Sequence, residues 1–465
     1  MSTEDRYILP SSPSNRCLDR FSIVAEPDED ENGQVSFWSV SRQLLAAEIT
    51  SPAGLIDLLE TIAVTLRDSS GIAGDYGTLR KFLASRPDFW QTQWPKLADI
   101  ALSMPELFPD HSLPILSASR ATKCLQLNHR QVMCLIAHQF LCTLKVPSWK
   151  DDDMHYFAAW YGSEQRHEQA VLVYLEALFL YFEKYLDRYD DQDMSEDSWT
   201  TQYAIYDSSD LPKDMVFSVD NALQLSPLDA ILVHEYSTDP DALGLPNGAC
   251  VVSANRFVGF GRSATQEEVH VGCSPEACPV VLVTPPLQDD QILVVRGAEA
   301  MVNIRGQRRD ISVIPQVPLT RDKWRKRTML FMDALELDMV SGDDGLPDLQ
   351  PGNVNREIRK AVIAFSSGHY NEVRTGLWGC GAFCGDPGIK MTALWCAASL
   401  AGVRLSIILE EPQHVLAGEY MAFIEQAQES CKTVGALKAL LDSAPKVLMR
   451  DHTLEWLKDS VQQGA

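Results

Sequence analysis

Gln266-Glu267-Glu268 places two adjacent carboxylates behind a glycine-bearing run, Ala254-Asn255-Arg256-Phe257-Val258-Gly259-Phe260-Gly261, with Arg262 to Thr265 as spacer. Glycine lets a backbone approach a ligand closely and adopt unusual dihedrals. Adjacent carboxylates repel, so burial can hold one protonated near neutral pH. A protonated carboxylic acid can donate to a glycosidic leaving group. Taken alone, a Glu-Glu pair is most often a solvated acidic turn. A second run, Thr375-Gly376-Leu377-Trp378-Gly379-Cys380-Gly381-Ala382-Phe383-Cys384-Gly385-Asp386, holds four glycines ahead of a helical stretch. Its backbone amides can face a diphosphate, with a helix N-terminus behind them and Asp386 as its cap. The same glycines also serve ordinary tight turns.

Helices and strands must position these residues. Residues 54–66 read as a helix with Leu55, Leu58, Leu59, Ile62 and Leu66 on one face. Further helices are expected over 89–104, ending before Pro105, over 128–144 with Asn128 as cap, and over 165–185. Beyond about residue 190 the pattern changes to short β-prone runs: Ala230–His234, Ala249–Ser253, Val280–Val283, Gln291–Val295 and Val403–Leu409. Helical stretches at 352–365, 386–401 and 433–448 lie among or after them. The reading is α/β: a mixed sheet flanked by helices, behind an all-helical N-terminal region. Expected boundaries are a loose arm over 1–35, a helical region over 36–190 and an α/β domain over 191–465. The acidic stretch 186–197 reads as a solvated loop.

Composition narrows the function classes. The chain has 465 residues, 45% hydrophobic, with a formal charge of -24. Such a charge repels a nucleic-acid backbone, so direct nucleic-acid binding is not expected. The 11 cysteines form no CxxC pair and no zinc-spaced cluster, which fits buried thiols in a reducing compartment. Met1 to Asp30 has no signal-peptide core and no apolar run is long enough for a membrane span, so an intracellular location, nucleus or cytoplasm, is expected. His138 reads as a core histidine, and His167-Glu168 as helix surface. Arg321 to Arg327 reads as a solvated basic turn, with contact to a polymer's phosphates as the other reading.

Taken together, the ordered segments resemble the poly(ADP-ribose) glycohydrolase family in its animal-type form. The resemblance rests on Ala254-Asn255-Arg256 before the glycines, on Gln266-Glu267-Glu268, and on Trp378 through Phe383. Pro95 to Leu107, Leu127 to Leu144 with Gln131, Cys134 and Cys142, and Asp333-Ala334-Leu335 also match. The resemblance implies a macrodomain that cleaves ribose–ribose O-glycosidic bonds of poly(ADP-ribose), in the setting of the DNA damage response. Glu268 would be the catalytic acid and then the base, and Glu267 and Asn255 would hold ribose hydroxyls. Gly259, Gly261, Gln266, Gly376, Trp378, Gly379, Cys380, Gly381, Ala382 and Phe383 would complete the substrate site. Poly(ADP-ribose) or ADP-ribose and ADP-ribosylated proteins are the implied partners. No metal, no other cofactor and no membrane are implied.

The sequence departs from the family pattern near those residues. Phe260 interrupts the glycine triplet, where it either blocks a ligand or points away, and the spacer before Gln266 is short. Gly297 to Gly306 carries no aromatic residue where the family has a tyrosine over adenine, and Met301 and Ile304 stand there instead. The alternative to an active glycohydrolase is therefore a weak or inactive ADP-ribose-binding macrodomain. A hydrolase of another ADP-ribosyl linkage is a third reading.

Overall fold

The computed structural model describes residues 6–67, 74–117, 122–150, 154–188, 199–211, 229–232, 238–306, 310–314, 319–340, 345–409, 413–445 and 448–463. Two compact units interleave along the chain, the first being residues 1–202, 259–285 and 298–315.

Amphipathic helices build the first unit: α1 (Phe37–Leu45), α2 (Pro52–Arg67), α3 (Gly77–Ala84), α4 (Trp94–Leu102), α5 (His129–Phe140), α6 (Glu168–Tyr185) and α7 (Gln266–Gly272). Leu55, Leu58, Leu59 and Ile62 of α2 are buried, as their one-turn spacing requires. Asn128 opens α5 with a capping box: its side chain accepts the Gln131 amide at 2.9 Å, and Gln131 accepts the Asn128 amide at 3.1 Å. Phe140 of α5 meets Phe179 and Phe182 of α6 edge-on, with ring centroids 5.8 and 5.7 Å apart. Segment 298–315 is tied to α6 through Glu299, which accepts Lys184 Nζ at 2.6 Å and the Tyr185 hydroxyl. Near the N-terminus, Arg6–Ile8 pairs antiparallel with Ser112–Pro114, and the buried Tyr7 donates to the Lys145 carbonyl at 2.6 Å.

Proline chemistry changes two expected elements here. The helix expected over 89–104 is three pieces, Phe89–Thr92, α4 and Met104–Leu107. Pro95 and Pro105 each sit in the first turn of a helix, where a missing amide hydrogen is no loss, so Pro105 opens a helix where it was expected to close one. The run Val280–Val283, expected as a strand, lies in and just after a 3-10 helix over Pro275–Leu282. Its β-branched residues are buried on every side, and Pro275 and Pro279 withhold the amides a central strand needs.

The second unit is residues 203–258, 286–297 and 316–465. Its strands are β1 (Thr200–Asp207, which enters from the first unit), β2 (Asp229–Leu232), β3 (Ala249–Ala254), β4 (Gln291–Arg296), β5 (Thr328–Asp333), β6 (Glu372–Thr375) and β7 (Arg404–Leu409). They lie in the order β1-β4-β5-β3-β6-β7-β2. Strand β3 is parallel to β5 and to β6, β7 is parallel to β6 and β2, and β4 runs antiparallel to β5. This is the expected mixed sheet flanked by helices. The helices are α8 (Asn353–Phe365), α9 (Pro387–Ala401), α10 (His414–Ser430), α11 (Val434–Asp442) and α12 (Thr453–Gln463). Val251, Leu330, Ile363, Trp395 and Ile407 are among the fully buried core side chains. The terminal helix expected over 433–448 stops at Asp442, and α12 ends the chain instead. Of the acidic stretch 186–197, Leu186–Arg188 forms one 3-10 turn, and residues 189–197 lie outside the described residues, as does His234. Among the described residues no helix is long and apolar enough to cross a membrane.

Candidate active site

Strand polarity gathers one group of site residues. Because β3, β5 and β6 are parallel, the loops after Ala254, Asp333 and Thr375 all leave the same edge of the sheet, where open α/β sheets place their ligands. Asn255 stands at that edge. Its Nδ2 donates to Glu336 Oε1 at 3.3 Å and its Oδ1 accepts the Phe257 amide at 3.0 Å. The glycine loop follows β6. Gly376 is buried and accepts the Trp378 amide at 2.9 Å. Trp378 is fully buried, and its Nε1 donates to the Met332 carbonyl at 2.8 Å, so only its main chain remains for a ligand. Gly379 has φ +76°, and a Cβ there would lie 2.6 Å from Ala334 Cβ, so the position demands glycine. The Cys380 thiol lies 3.7 Å from the Trp378 carbonyl. Gly381 and Ala382 are exposed and Phe383 half-buried. Their amides meet no acceptor among the described residues. Successive open amides of this kind make an anion-binding concavity.

Buried charge holds that loop from below. Lys390, one turn into α9, contacts Glu357, while Arg356 Nη1 reaches Glu357 Oε1 at 2.7 Å. Asp333, at the end of β5, takes Arg356 Nη2 at 2.5 Å and the Lys360 ammonium. Asp386 caps α9 by accepting the Ile389 amide at 3.0 Å, and it also takes the Thr453 hydroxyl at 2.9 Å. Its own amide donates to Asp348 at 3.0 Å. Burial pushes the Asp348 carboxyl up to about 6, against the opposing pull of Lys390. It draws Lys360 down to about 8, against the pull of Asp333. The Asp386 carboxylate already occupies the N-terminus of α9, so loop amides and not that helix end are what an anion would meet.

The remaining site residues belong to the first unit. Thr265 caps α7 in a capping box with Glu268. Glu268 is half-buried, and its Oε2 accepts the Ser263 amide at 3.0 Å, the Thr265 amide at 2.9 Å and the Thr265 hydroxyl at 3.0 Å. Ala264, at φ +57°, makes the turn that aims those amides. Glu267 is buried and accepts the Gly259 amide at 2.9 Å. Gln266 is buried in the same turn. A Cβ on Gly261 would fall 1.9 Å from Glu268 Oε1, so the glycine makes room for the carboxylate. Phe260, 3% exposed, sits in aromatic packing, 5.2 Å from Phe157 and 5.4 Å from Trp160 between ring centroids. Trp160 Nε1 in turn donates to the Gly261 carbonyl at 2.8 Å. Met301 and Ile304 are likewise buried.

Residues 84–200 match the helical-domain model of poly(ADP-ribose) glycohydrolase, and residues 239–415 match the macro-domain-fold model of the same enzyme. Together the matches cover more than half of the chain. The chain belongs to the poly(ADP-ribose) glycohydrolase family. Poly(ADP-ribose) glycohydrolase 1 of Caenorhabditis elegans is 26% identical over 211 residues, which is 41% of this chain and 26% of that protein. The aligned part thus spans about a quarter of that relative's length.

Within this family member, three positioning residues escaped the sequence reading: Glu336, Trp160 and Lys390. Lys390 had a signal, as a lone cation in the otherwise apolar start of α9, Pro-Gly-Ile-Lys-Met-Thr-Ala-Leu. Trp160 and Glu336 had none, because their partners are distant in sequence.

Proposed function

We propose that the chain hydrolyses the ribose–ribose O-glycosidic bond of poly(ADP-ribose) and releases ADP-ribose. The observation that carries this reading is the intact Gln266-Glu267-Glu268 turn. Its last carboxylate is held against Gly261 by three hydrogen bonds to one oxygen. Glu268, protonated, gives its proton to the leaving ribose oxygen as the glycosidic bond breaks. The resulting carboxylate takes a proton from the water that attacks the oxocarbenium-like carbon. One residue thus does the work usually split between two carboxylates. Three donors and the N-terminus of α7 receive the anionic form of Glu268 well, which suits the second half of the cycle. Glu267, buried and bonded to the Gly259 amide, fixes the loop and takes a ribose hydroxyl through its remaining acceptor capacity. Asn255 takes a ribose hydroxyl once its bond to Glu336 opens. The open amides of Gly381, Ala382 and Phe383 receive the diphosphate, so an acidic protein needs no basic side chain there. ADP-ribosylated proteins are the polymer's carriers in this reading, and nucleus or cytoplasm is its setting.

The test is incubation of purified protein with poly(ADP-ribose), with products resolved by chromatography and mass spectrometry, beside Glu268→Gln. Free ADP-ribose from the wild type, reduced by about 10²–10⁴-fold in the variant, is expected. Intact polymer with a folded wild-type protein overturns the enzymatic reading. Binding measured by calorimetry in that case would support an ADP-ribose-binding macrodomain.

A further inference from the structure

The glycine loop after β6 has a rear half as well as a front. The front holds Gly381, Ala382 and Phe383, whose amides meet no acceptor among the described residues. In the rear half, two consecutive peptide groups are tied at both ends. The peptide joining Cys384 to Gly385 donates its N–H to the Gly379 carbonyl at 2.8 Å, and its carbonyl accepts Arg450 Nη2. The peptide joining Gly385 to Asp386 donates its N–H to Asp348 Oδ2 at 3.0 Å, and its carbonyl accepts the same Nη2 at 2.9 Å. One guanidinium nitrogen thus closes two peptide planes whose other ends are already fixed.

Those planes hold an unfavourable turn. Cys384 lies at φ +57°, the left-handed region that a residue with a Cβ rarely adopts. Its amide donates to the Gly381 carbonyl at 3.2 Å, so the turn at Cys384 sets how residues 381–383 are presented. A side chain stays in that region only where its surroundings over-determine it. Arg450 is the part of those surroundings that comes from farthest along the chain, and it is itself anchored. It opens the 3-10 turn Arg450–His452, directly before α12. Leu454, Leu457 and Val461 of α12 are buried in the core of the second unit, and the Thr453 hydroxyl donates to Asp386 Oδ2 at 2.9 Å. The Arg450 side chain is exposed, so replacing it opens no core cavity. The match to the macro-domain-fold model ends at residue 415, so that match assigns Arg450 no role.

We infer that Arg450 is a positioning residue of the diphosphate loop. It clamps the two rear peptides, so that Cys384 keeps its left-handed turn and the amides of residues 381–383 stay aimed at an anion. Arg450 acts through carbonyl oxygens and touches no ligand. This role rests on the diphosphate reading of the loop, and not on hydrolysis by Glu268.

Two measurements on the full chain test it: hydrogen–deuterium exchange over 379–386 without ligand, and calorimetric titration with ADP-ribose. Arg450→Met should speed exchange over 384–386, leave exchange elsewhere unchanged, and weaken ADP-ribose binding about tenfold, the scale set by one left-handed residue returning to its preferred region. Arg450→Lys, with a compact ammonium in place of the planar fork, should recover part of that affinity. Cys384→Gly tolerates the left-handed turn without a clamp. Alone it should change affinity little, and combined with Arg450→Met it should bring affinity back to within about threefold of wild type. A merely structural Arg450 would not be rescued by a glycine at position 384. Unchanged exchange over 384–386 in Arg450→Met, faster exchange with unchanged affinity, or a loss that Cys384→Gly does not reduce overturns the inference. A wild type that binds no ADP-ribose at millimolar concentration overturns the diphosphate role of the loop and this inference with it. A wild type that binds ADP-ribose yet leaves polymer intact removes the hydrolase reading alone, and a tenfold loss in Arg450→Met then still upholds the clamp.

Discussion

The glutamate turn of the first unit and the glycine loop of the second are both short, glycine-bearing and placed directly before a helix, yet they are held in different ways. The turn is fixed by a local capping box and two main-chain amides on Glu268, and its one long-range anchor is apolar, Phe260 sunk among Phe157 and Trp160. The loop is fixed by buried charge reaching across the sheet, through Lys390, Glu357, Arg356 and Asp333. Local bonds let a carboxylate be aimed with little commitment of the surrounding core. A buried ion network holds a loop rigid, and it makes the whole domain sensitive to each member.

The largest effects expected are on stability, and they fall on both sides of this contrast. Lys390→Met removes one cation from the network while Glu357 and Asp348 remain, and an uncompensated buried charge costs about 3–5 kcal/mol. Phe260→Ala removes a buried ring from the helical unit, at a similar cost of about 3–5 kcal/mol. Urea unfolding reads both. A loss under about 1 kcal/mol for Lys390→Met would mean that charge does not hold the loop. A Phe260→Ala protein of unchanged stability and higher activity would mean that the ring had been blocking a ligand after all.

The same edit made in the two loops should divide the kinetics. Gly261→Ala puts a methyl group where Glu268 Oε1 lies, 1.9 Å from the new atom, and displaces the proposed acid. A fall in kcat of about 100-fold with little change in KM is expected, which is about 2.7 kcal/mol of transition-state stabilisation. Gly379→Ala forces a left-handed position and strikes Ala334, so it should raise KM about tenfold with a smaller effect on kcat. Steady-state kinetics on poly(ADP-ribose) decides the matter, and identical patterns for the two variants would erase the division.

How much of this was legible in the sequence depends on how far apart the cooperating residues lie. Asn128 was readable as the cap of α5 because a cap lies next to the helix it opens, and so was Asp386 before α9. The alternation of strands and helices gave the α/β class for the same local reason. Val280–Val283 was misread because β-branched composition cannot distinguish a buried strand from a buried 3-10 turn. The direction of Phe260 could not be read at all, since it is decided by Phe157 and Trp160, a hundred residues away. The motif Gln266-Glu267-Glu268 located the carboxylates, but not that Glu267 is bound to the Gly259 amide. The charge network escaped notice because its members, Asp333, Arg356 and Lys390, are spread over three elements.

Acid and alkali should also divide the two regions. In the first unit, burial holds His138 down to about 4, with its ring nitrogens bonded to Thr143 and to the Ala101 carbonyl. The unfolded chain takes up that proton near 6.5, so this contribution is complete above that pH and is lost as the pH falls toward 4. In the second unit Asp348 is pushed up to about 6 from 3.8. The folded state then binds the proton more tightly, so its contribution is present at low pH and is lost as the pH rises through 6. Each slope amounts to about 3 kcal/mol over its window. His138→Gln should flatten the first slope and Asp348→Asn the second in urea midpoints measured from pH 4 to 7. Variant curves parallel to the wild type would remove the residue concerned as the source.

The smallest effect separates aiming from folding. The Thr265 hydroxyl donates to Glu268 Oε2 at 3.0 Å and accepts the Glu268 amide at 3.4 Å, so it is both helix cap and guide for the carboxylate. Thr265→Val keeps the shape and removes both bonds, and a lost cap costs about 1 kcal/mol. If Thr265 only caps α7, stability should fall with kcat unchanged. If it also guides Glu268, the carboxylate loses one of its three donors, and kcat should fall with KM nearly constant. Thr265→Ser restores the hydroxyl and should restore kcat. Because the turn is held by a handful of local bonds, such a change reaches the chemistry without unfolding the unit, whereas no comparably mild edit is expected within the charge network beneath the glycine loop.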